Sequence, residues 1–418
     1  MAMNARIMFY IIITALVGIT IFTLFSQMTN SSNVSGEPAK TAVGGWYFTL
    51  AFISNVLLTI VSIYSFVVYR NKFPLITNVC YITLIILVFL LSIGDFSMYS
   101  KQPSSFYSPK GIGTWINFGI LYFVAEEVYA TRIFKFFRTV CYIVIAYNLM
   151  RLAMLGTISS RSDTLSAFGE TTIFLIWVYP FFFLDDSDKT NFAKLIKYGT
   201  MMLVAFFTFA IASRSYLLIM IIFLLIKLRR DLKGGKNAML IIVMTGMSLC
   251  IGYYFIANIH NFNSIKGILN IFSGRIDDDT RTSQLKEFLG QYNIDKLFTG
   301  VGPSGTWNWY SQKEPHYEWL DNQFMLLTWW FGIQTFLVYL LFLAYPLFRK
   351  NTYNNIVISN AKILIFFWIL ACGGLAIYAT FSTKFFYYFI SLSIGVATLN
   401  VRELRILMVK PQAATAVV

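Results

Sequence analysis

Charged residues are scarce in this chain of 418 residues. Asp, Glu, Lys and Arg make up 12% of it, whereas soluble domains contain roughly 25%. Its mean hydropathy is +0.65, and apolar runs of about 20 residues recur, each long enough to cross a hydrocarbon core. The sequence therefore predicts an all-α polytopic membrane protein, with residues 1–418 forming a single integral membrane domain.

Histidine and cysteine are also rare, with two histidines and four cysteines in the whole chain. Every cysteine lies inside an apolar run and none belongs to a Cys-x-x-Cys pair, so we expect small buried side chains and no disulfide framework. The sequence has no His-Glu-x-x-His motif, and its two histidines, His260 and His316, have neither a cysteine nor another histidine nearby. We therefore expect no metal site.

Acidic residues are outnumbered by basic ones, which gives a net charge of +14. Such a charge could serve nucleic-acid binding, but the sequence lacks the interleaved aromatic and basic residues of a nucleic-acid platform. Basic residues on the cytoplasmic loops of a membrane protein produce the same imbalance. The expected partner is the lipid bilayer, and no nucleic acid is expected.

Twelve hydrophobic segments are predicted to span the membrane, at 7–26, 46–68, 75–94, 115–131, 139–155, 169–184, 198–213, 215–226, 239–257, 323–345, 356–379 and 385–401. If the N-terminus is cytoplasmic, cytoplasmic segments contain 19 basic residues and short outer connections contain 7. This bias is typical of inner loops, so both termini are predicted to be cytoplasmic. The one long loop, 258–322, then faces outward. The connections 27–45 and 95–114 show no catalytic grouping and are expected to be plain loops.

Four arginines are candidates for binding an anion such as a diphosphate. Arg214 lies between two apolar runs, where exposure to lipid would cost several kcal/mol. It must reach the interface, pair with a carboxylate or bind an anionic ligand, and its planar fork of donors suits phosphate. In the long loop, Arg275 and Arg281 would form a second clamp or a solvated charged helix. Arg151, at the outer end of the fifth span, is a further candidate.

The long loop contains two other polar groupings. The acidic run Asp277–Asp279 could hold Mg²⁺ against a diphosphate, although adjacent carboxylates more often form a solvated turn or a helix N-terminus. The Gly-rich stretch Gly300–Gly305 would let the backbone approach an anion closely. No Gly-Lys-Ser/Thr follows it, so it is not a nucleotide-binding loop.

Candidate general bases lie just before the tenth span. Imidazole is the side chain best suited to accept a proton near neutral pH, which favours His316, whereas Asp321 is the carboxylate nearest the membrane. Either could equally be a loop residue without a catalytic role. The rings of Trp307, Trp309 and Tyr310 are candidates for stacking on sugars, and an interfacial aromatic belt is the alternative explanation.

Several of these residues occur in a recognisable order between about 205 and 335: Ser213-Arg214, Arg281, Leu297–Gly302, Asp321-Asn322-Gln323-Phe324 and Gly332. This order resembles the superfamily of O-antigen polymerases (Wzy) and O-antigen ligases, which are bacterial envelope glycosyltransferases. The resemblance implies a GT-C-type glycosyltransferase-like bundle that works without metal or other cofactor at the periplasmic face of the inner membrane. Its donor and acceptor would be oligosaccharides on undecaprenyl diphosphate, with a chain-length regulator protein as an optional partner.

The resemblance also implies roles for individual residues. Arg214 would hold the diphosphate, with Arg275 or Arg281 in support. The ligases have a His-Asn pair before the helix that follows the loop, where this chain has Asp321-Asn322. The expected base is therefore Asp321 or His316. Polymerisation of repeat units is the expected activity, and the alternatives are glycan transfer to a lipid A core and transport of lipid-linked oligosaccharide.

Overall fold

A computed structural model describes residues 4–30, 45–96, 106–107, 111–154, 161–185, 190–211, 213–233, 280–312, 314–317, 320, 322–352, 355–375 and 385–401. Of these residues 87% are helical, which confirms the all-α class. In the described part of the chain, six helices are long and apolar enough to cross a membrane. The predicted span 239–257 lies outside the described residues.

The described part of the chain contains thirteen α-helices and one small sheet. The helices are α1 (Ala5–Asn30), α2 (Gly45–Tyr69), α3 (Leu75–Leu91), α4 (Ile112–Asn117), α5 (Glu127–Met154), α6 (Arg161–Phe183), α7 (Asn191–Ala210), α8 (Arg214–Lys233), α9 (Thr280–Gly290), α10 (Ile294–Thr299), α11 (Gln323–Phe348), α12 (Ile356–Leu370) and α13 (Phe385–Leu399). The antiparallel strands β1 (Trp307–Trp309) and β2 (Glu314–Tyr317) form a hairpin.

The predicted spans 115–131 and 139–155 differ most from the structure. A buried 3-10 helix, Phe118–Ala125, follows α4, and a single helix of 28 residues, α5, follows it. Helix α5 contains neither proline nor glycine, so nothing in its sequence interrupts it. At 1.5 Å per residue it is about 42 Å long, which exceeds a hydrocarbon core of roughly 30 Å. The basic residues predicted to form a connection are therefore helical: Arg132, Lys135 and Arg138.

Buried charged groups join the membrane helices at one end of the bundle. The Lys227 ammonium lies 3.2 Å from the Asp231 carboxylate, and both side chains are buried. The Tyr198 hydroxyl donates to the same carboxylate at 2.8 Å. Beyond the last residue of α6, the backbone carbonyl of Asp185 accepts from Lys197 at 2.8 Å. Cations at this point complement the negative C-terminal end of the α6 dipole.

Helix α12 connects this end of the bundle to the other. Near its start, Arg230 of α8 donates to Asn360 Oδ1 at 2.8 Å and to Ser359 Oγ at 3.2 Å. Just past its end, the Gly373 carbonyl accepts from Asn322, the residue that caps the start of α11, at 3.2 Å. We call the end of the bundle with Arg230 the basic end. The end with Asn322 and Gly373 is called the lid end, after the segment before α11 that is described below.

Helix α11 is broken at Gly332, where φ is 74° and ψ is 166°. Near the break, the backbone carbonyls of Trp329 and Trp330 accept hydrogen bonds from outside the helix. Their donors are the amides of Val301, at 2.8 Å, and Gly302, at 3.0 Å. The loop before α11 therefore docks on the helix backbone.

Candidate active site

The described residues between 280 and 317 form a compact unit, here called the lid, with a small aromatic core. The ring of Phe288, which is fully buried, lies 5.5 Å from that of Trp307 and 5.1 Å from that of Trp329. Trp307 also meets Tyr317 edge-on at 5.5 Å. Because Trp329 belongs to α11, the core of the lid rests directly on a membrane helix.

Polar contacts join α9 to the lid hairpin. The side-chain amide of Gln291 donates to the carbonyl of Asn308 at 2.7 Å and accepts from the amide of the same residue at 2.9 Å. The carboxylate of Glu287 accepts from the amide of Ser311 at 3.2 Å. Hydrogen bonding by Ser311 holds the pKa of Glu287 below its ordinary value. These contacts fix the hairpin relative to α9.

The Gly-rich stretch is occupied by protein groups. Besides the contacts with α11, the carboxylate of Asp95 accepts from the Ser304 amide at 3.1 Å and from the Ser304 hydroxyl at 2.6 Å. A Cβ atom on Gly302 would lie 2.6 Å from Asp95 Oδ2. The amides of Val301, Gly302 and Ser304 therefore already have acceptors. This corrects the expectation that the turn offers these amides to an anionic ligand, because the anion it meets is Asp95.

Asp95 belongs to the connection 95–114, which was expected to be a plain loop and of which residues 97–105 and 108–110 lie outside the described part of the chain. It closes a short 3-10 helix, Ile93–Asp95, after α3. Its contact with Ser304 joins positions 209 residues apart. Asp95 was not singled out in the sequence, because a lone carboxylate just after a predicted span is common in polar loops.

His316 lies exposed on β2 in an unusual backbone conformation. Its φ of 60° is in the left-handed region, which residues other than glycine rarely adopt. The amide of His316 donates to Asn308 Oδ1 at 3.3 Å, and its Nδ1 atom lies 3.4 Å from Thr306 Oγ1. Strained backbone of this kind is concentrated at functional sites.

The three rings predicted to bind glycan differ in exposure. Trp307 is 2% exposed and belongs to the aromatic core, so the structure gives it a packing role. Trp309 is partly buried, and its ring lies 5.0 Å from that of Tyr317. Tyr310 is 67% exposed and remains accessible to a sugar. A glycan contact stays a prediction for Trp309 and Tyr310.

Arg214 is exposed and is the first residue of α8. Because Arg230 lies at the basic end, 16 residues further along the same helix, Arg214 lies about 24 Å from it along the helix axis, toward the lid end. Arg281 lies in the first turn of α9, where the structure describes its backbone alone. The remaining candidates lie outside the described residues: Arg275, Asp321 and Asp277–Asp279.

Arg151 lies near the end of α5 and is partly buried. Its Nε atom is buried without a hydrogen-bond partner in the described part of the chain, as is the Nδ2 atom of Asn148 one turn earlier. Asn148 Oδ1 accepts from Thr171, at 2.7 Å, and Thr171 lines a cleft between α1, α5, α6 and α13. Glu170 lines the same cleft.

Comparisons with known proteins leave the family open. The chain matches no protein family model, no curated protein and no solved structure. The resemblance to bacterial envelope glycosyltransferases therefore stays a prediction.

Proposed function

We propose that this protein polymerises oligosaccharide repeat units carried on undecaprenyl diphosphate, at the periplasmic face of the bacterial inner membrane. The observation that carries the proposal is the docking of two separate motif stretches. Val301 and Gly302, from the first stretch, bond to the helix backbone beside Gly332, from the second. The lid that bears His316 is thereby joined to helix α11, which supports a site shared by the lid and the membrane helices.

The proposed reaction is a direct glycosyl transfer. A hydroxyl oxygen of the incoming repeat unit forms a bond to the anomeric carbon of the growing glycan. The bond from that carbon to the lipid diphosphate breaks, and the diphosphate leaves with the electron pair. The hydroxyl proton passes to a base, His316 or Asp321. The lipid diphosphate is already an activated leaving group, so no nucleotide is consumed.

Charge develops on the departing diphosphate, and fixed cations lower the energy of that state. Arg214 is the cation proposed for this role, because it begins α8 at the end of that helix opposite Arg230. Arg151 offers a buried guanidinium nitrogen that has no acceptor in the described residues. Arg275 or Arg281 would support Arg214 at the diphosphate, as the resemblance implies.

Purified protein in lipid nanodiscs, supplied with undecaprenyl-diphosphate repeat units, tests the proposal. The wild type should give a ladder of polymer, and Arg214→Ala should not. The matched control is Arg229→Ala, an exposed arginine at the other end of the same helix, which should leave the ladder intact. Failure of the wild type to form polymer, or a normal ladder from Arg214→Ala, would contradict the proposal.

The base is tested by His316→Asn. Asparagine tolerates the left-handed conformation that His316 adopts, so folding should be preserved while the imidazole is lost. If His316 is the base, the rate should fall by about 10²- to 10⁴-fold with an unchanged melting temperature. A wild-type rate would transfer the role to Asp321, and Asp321→Asn should then show the loss.

The alternative activities give different products. In a deletion strain, a single repeat on the lipid A core indicates loss of a polymerase, whereas a bare core indicates loss of a ligase. Polymer formed by the purified protein from lipid-linked units in detergent would exclude a pure transporter.

A further inference from the structure

Asp95 contacts the lid from the short 3-10 helix that follows α3. Its carboxylate accepts from both the amide and the hydroxyl of Ser304. A side chain at Gly302 would displace the Asp95 carboxylate and would be strained, because φ there is 86°. The Gly-rich turn is therefore shaped around this one carboxylate.

The turn that Asp95 holds is itself closed. The Gly305 amide donates to the Gly302 carbonyl at 3.0 Å. A Cβ atom on Gly305 would lie 1.9 Å from the side chain of Val301, so only glycine fits. The turn is thus a compact unit whose position depends on its anchors, namely Asp95 and the carbonyls of α11.

Thr306 follows this turn directly, and its hydroxyl lies 3.4 Å from Nδ1 of His316. Only one residue, Gly305, separates Thr306 from Ser304, which Asp95 binds. A shift of the turn would therefore move the hydroxyl that faces the imidazole.

We infer that Asp95 is a positioning residue for His316. The carboxylate anchors the turn to the end of α3, and the turn presents Thr306 to the imidazole. The catalytic meaning of this contact rests on the proposed function, but the contact itself does not. Asp95→Ala removes both acceptors of Ser304, whereas Asp95→Asn keeps a carbonyl oxygen for the Ser304 amide and offers an NH₂ group that the Ser304 hydroxyl can accept from. The anchor is therefore lost with alanine and largely kept with asparagine.

The experiment uses the rarity of histidine in this chain. Full-length protein with ¹⁵N-labelled imidazole rings, in lipid bilayers, contains two labelled residues, and His316→Asn identifies the signals of His316. Asp95→Ala should shift and broaden the ring-nitrogen signals of His316, and Asp95→Asn should restore them. The His260 signals serve as an internal reference for folding. Asp295→Asn, an exposed carboxylate on α10, is the matched control and should change nothing.

Polymerisation measured on the same samples separates the two proposals. Asp95→Ala should lower the turnover rate by about tenfold to a hundredfold, as expected for a misplaced catalytic group, with Asp95→Asn within twofold of the wild type. Unchanged His316 signals in Asp95→Ala would overturn the positioning role, whatever the activity. If Asp95→Ala alters the His316 signals but the wild type forms no polymer, the proposed function is overturned and the positioning contact stands.

Discussion

Gly332 lies against the backbone of Phe298, so closely that a Cβ atom on Gly332 would be 2.3 Å from the Phe298 carbonyl oxygen. The reverse contact is equally tight, because a Cβ atom on Gly300 would lie 2.5 Å from the Trp330 carbonyl oxygen. Glycine on both sides lets the lid and the membrane helix join through their backbones. The two motif glycines therefore share one physical purpose.

Gly332→Ala should loosen the lid. The substitution adds a clash with Phe298 to a φ of 74° that alanine avoids, at a cost of about 1–3 kcal/mol. Faster cleavage of the lid in limited proteolysis is the expected result. Gly290→Ala is the control, because nothing lies within 4 Å of its added Cβ. Equal cleavage of the two variants would count against backbone docking.

Trp307→Ala and Tyr310→Ala should have different effects on the stability of the lid. Trp307→Ala empties the lid core and should destabilise the lid by about 3–5 kcal/mol, the usual range for a buried aromatic residue. Tyr310→Ala removes a ring that is 67% exposed and should leave stability unchanged. Hydrogen exchange of lid amides measures both effects. Loss of protection in Tyr310→Ala as large as in Trp307→Ala would show that Tyr310 has a packing role.

Glu287 should make the protection of lid amides from hydrogen exchange depend on pH. Its pKa lies below the ordinary value of 4.5 because the side chain and amide of Ser311 donate hydrogen bonds to the carboxylate. A lowered pKa in the folded lid means that the stabilisation is complete above the ordinary value and is lost as the pH falls through the folded value.

The measurement is hydrogen exchange of the hairpin at pH 7 and at lower pH, for the wild type and for Glu287→Gln. The wild type should be better protected at pH 7, and the difference should shrink as the pH falls below about 4. A difference that stays constant across this range would contradict the assignment.

Asp231 should be needed for stability at the basic end. Asp231→Ala leaves the buried ammonium of Lys227 without its carboxylate, and removal of one partner of a buried pair costs about 3–5 kcal/mol. The double variant Lys227→Met, Asp231→Leu should recover most of the loss, since apolar replacements of buried pairs are often neutral. Unfolding in mixed micelles measures the three proteins. If the double variant is as unstable as Asp231→Ala, the loss of stability comes from packing and not from the unpaired ammonium.

Much of the helical framework could be predicted from hydropathy. The predicted span 46–68 corresponds to α2, and 323–345 to most of α11, because apolar runs of this length favour membrane helices. The run of basic residues beginning at Arg132 was misleading, since a helix can continue beyond the hydrocarbon when no proline or glycine stops it. Hydropathy indicates which segments lie in lipid, but it does not predict where a helix begins or ends.

The candidate site was less predictable because its contacts are distant in sequence. The pattern indicated His316 and the glycines of the turn, yet it could not show that Asp95 meets Ser304 across 209 positions. Composition also cannot distinguish a tryptophan in a lid core, such as Trp307, from an exposed ring such as Tyr310. The Asp95–Ser304 contact and the burial of Trp307 both depend on how the lid packs against the helices.

The break at Gly332 has a consequence for the surrounding lipid. The part of α11 after the break has 16 residues and is about 24 Å long, shorter than a hydrocarbon core of roughly 30 Å. Such hydrophobic mismatch is relieved by local thinning of the bilayer, which would draw the headgroup region toward the lid. If this part alone crosses the hydrocarbon, the docked lid should respond to the acyl-chain length of the host membrane.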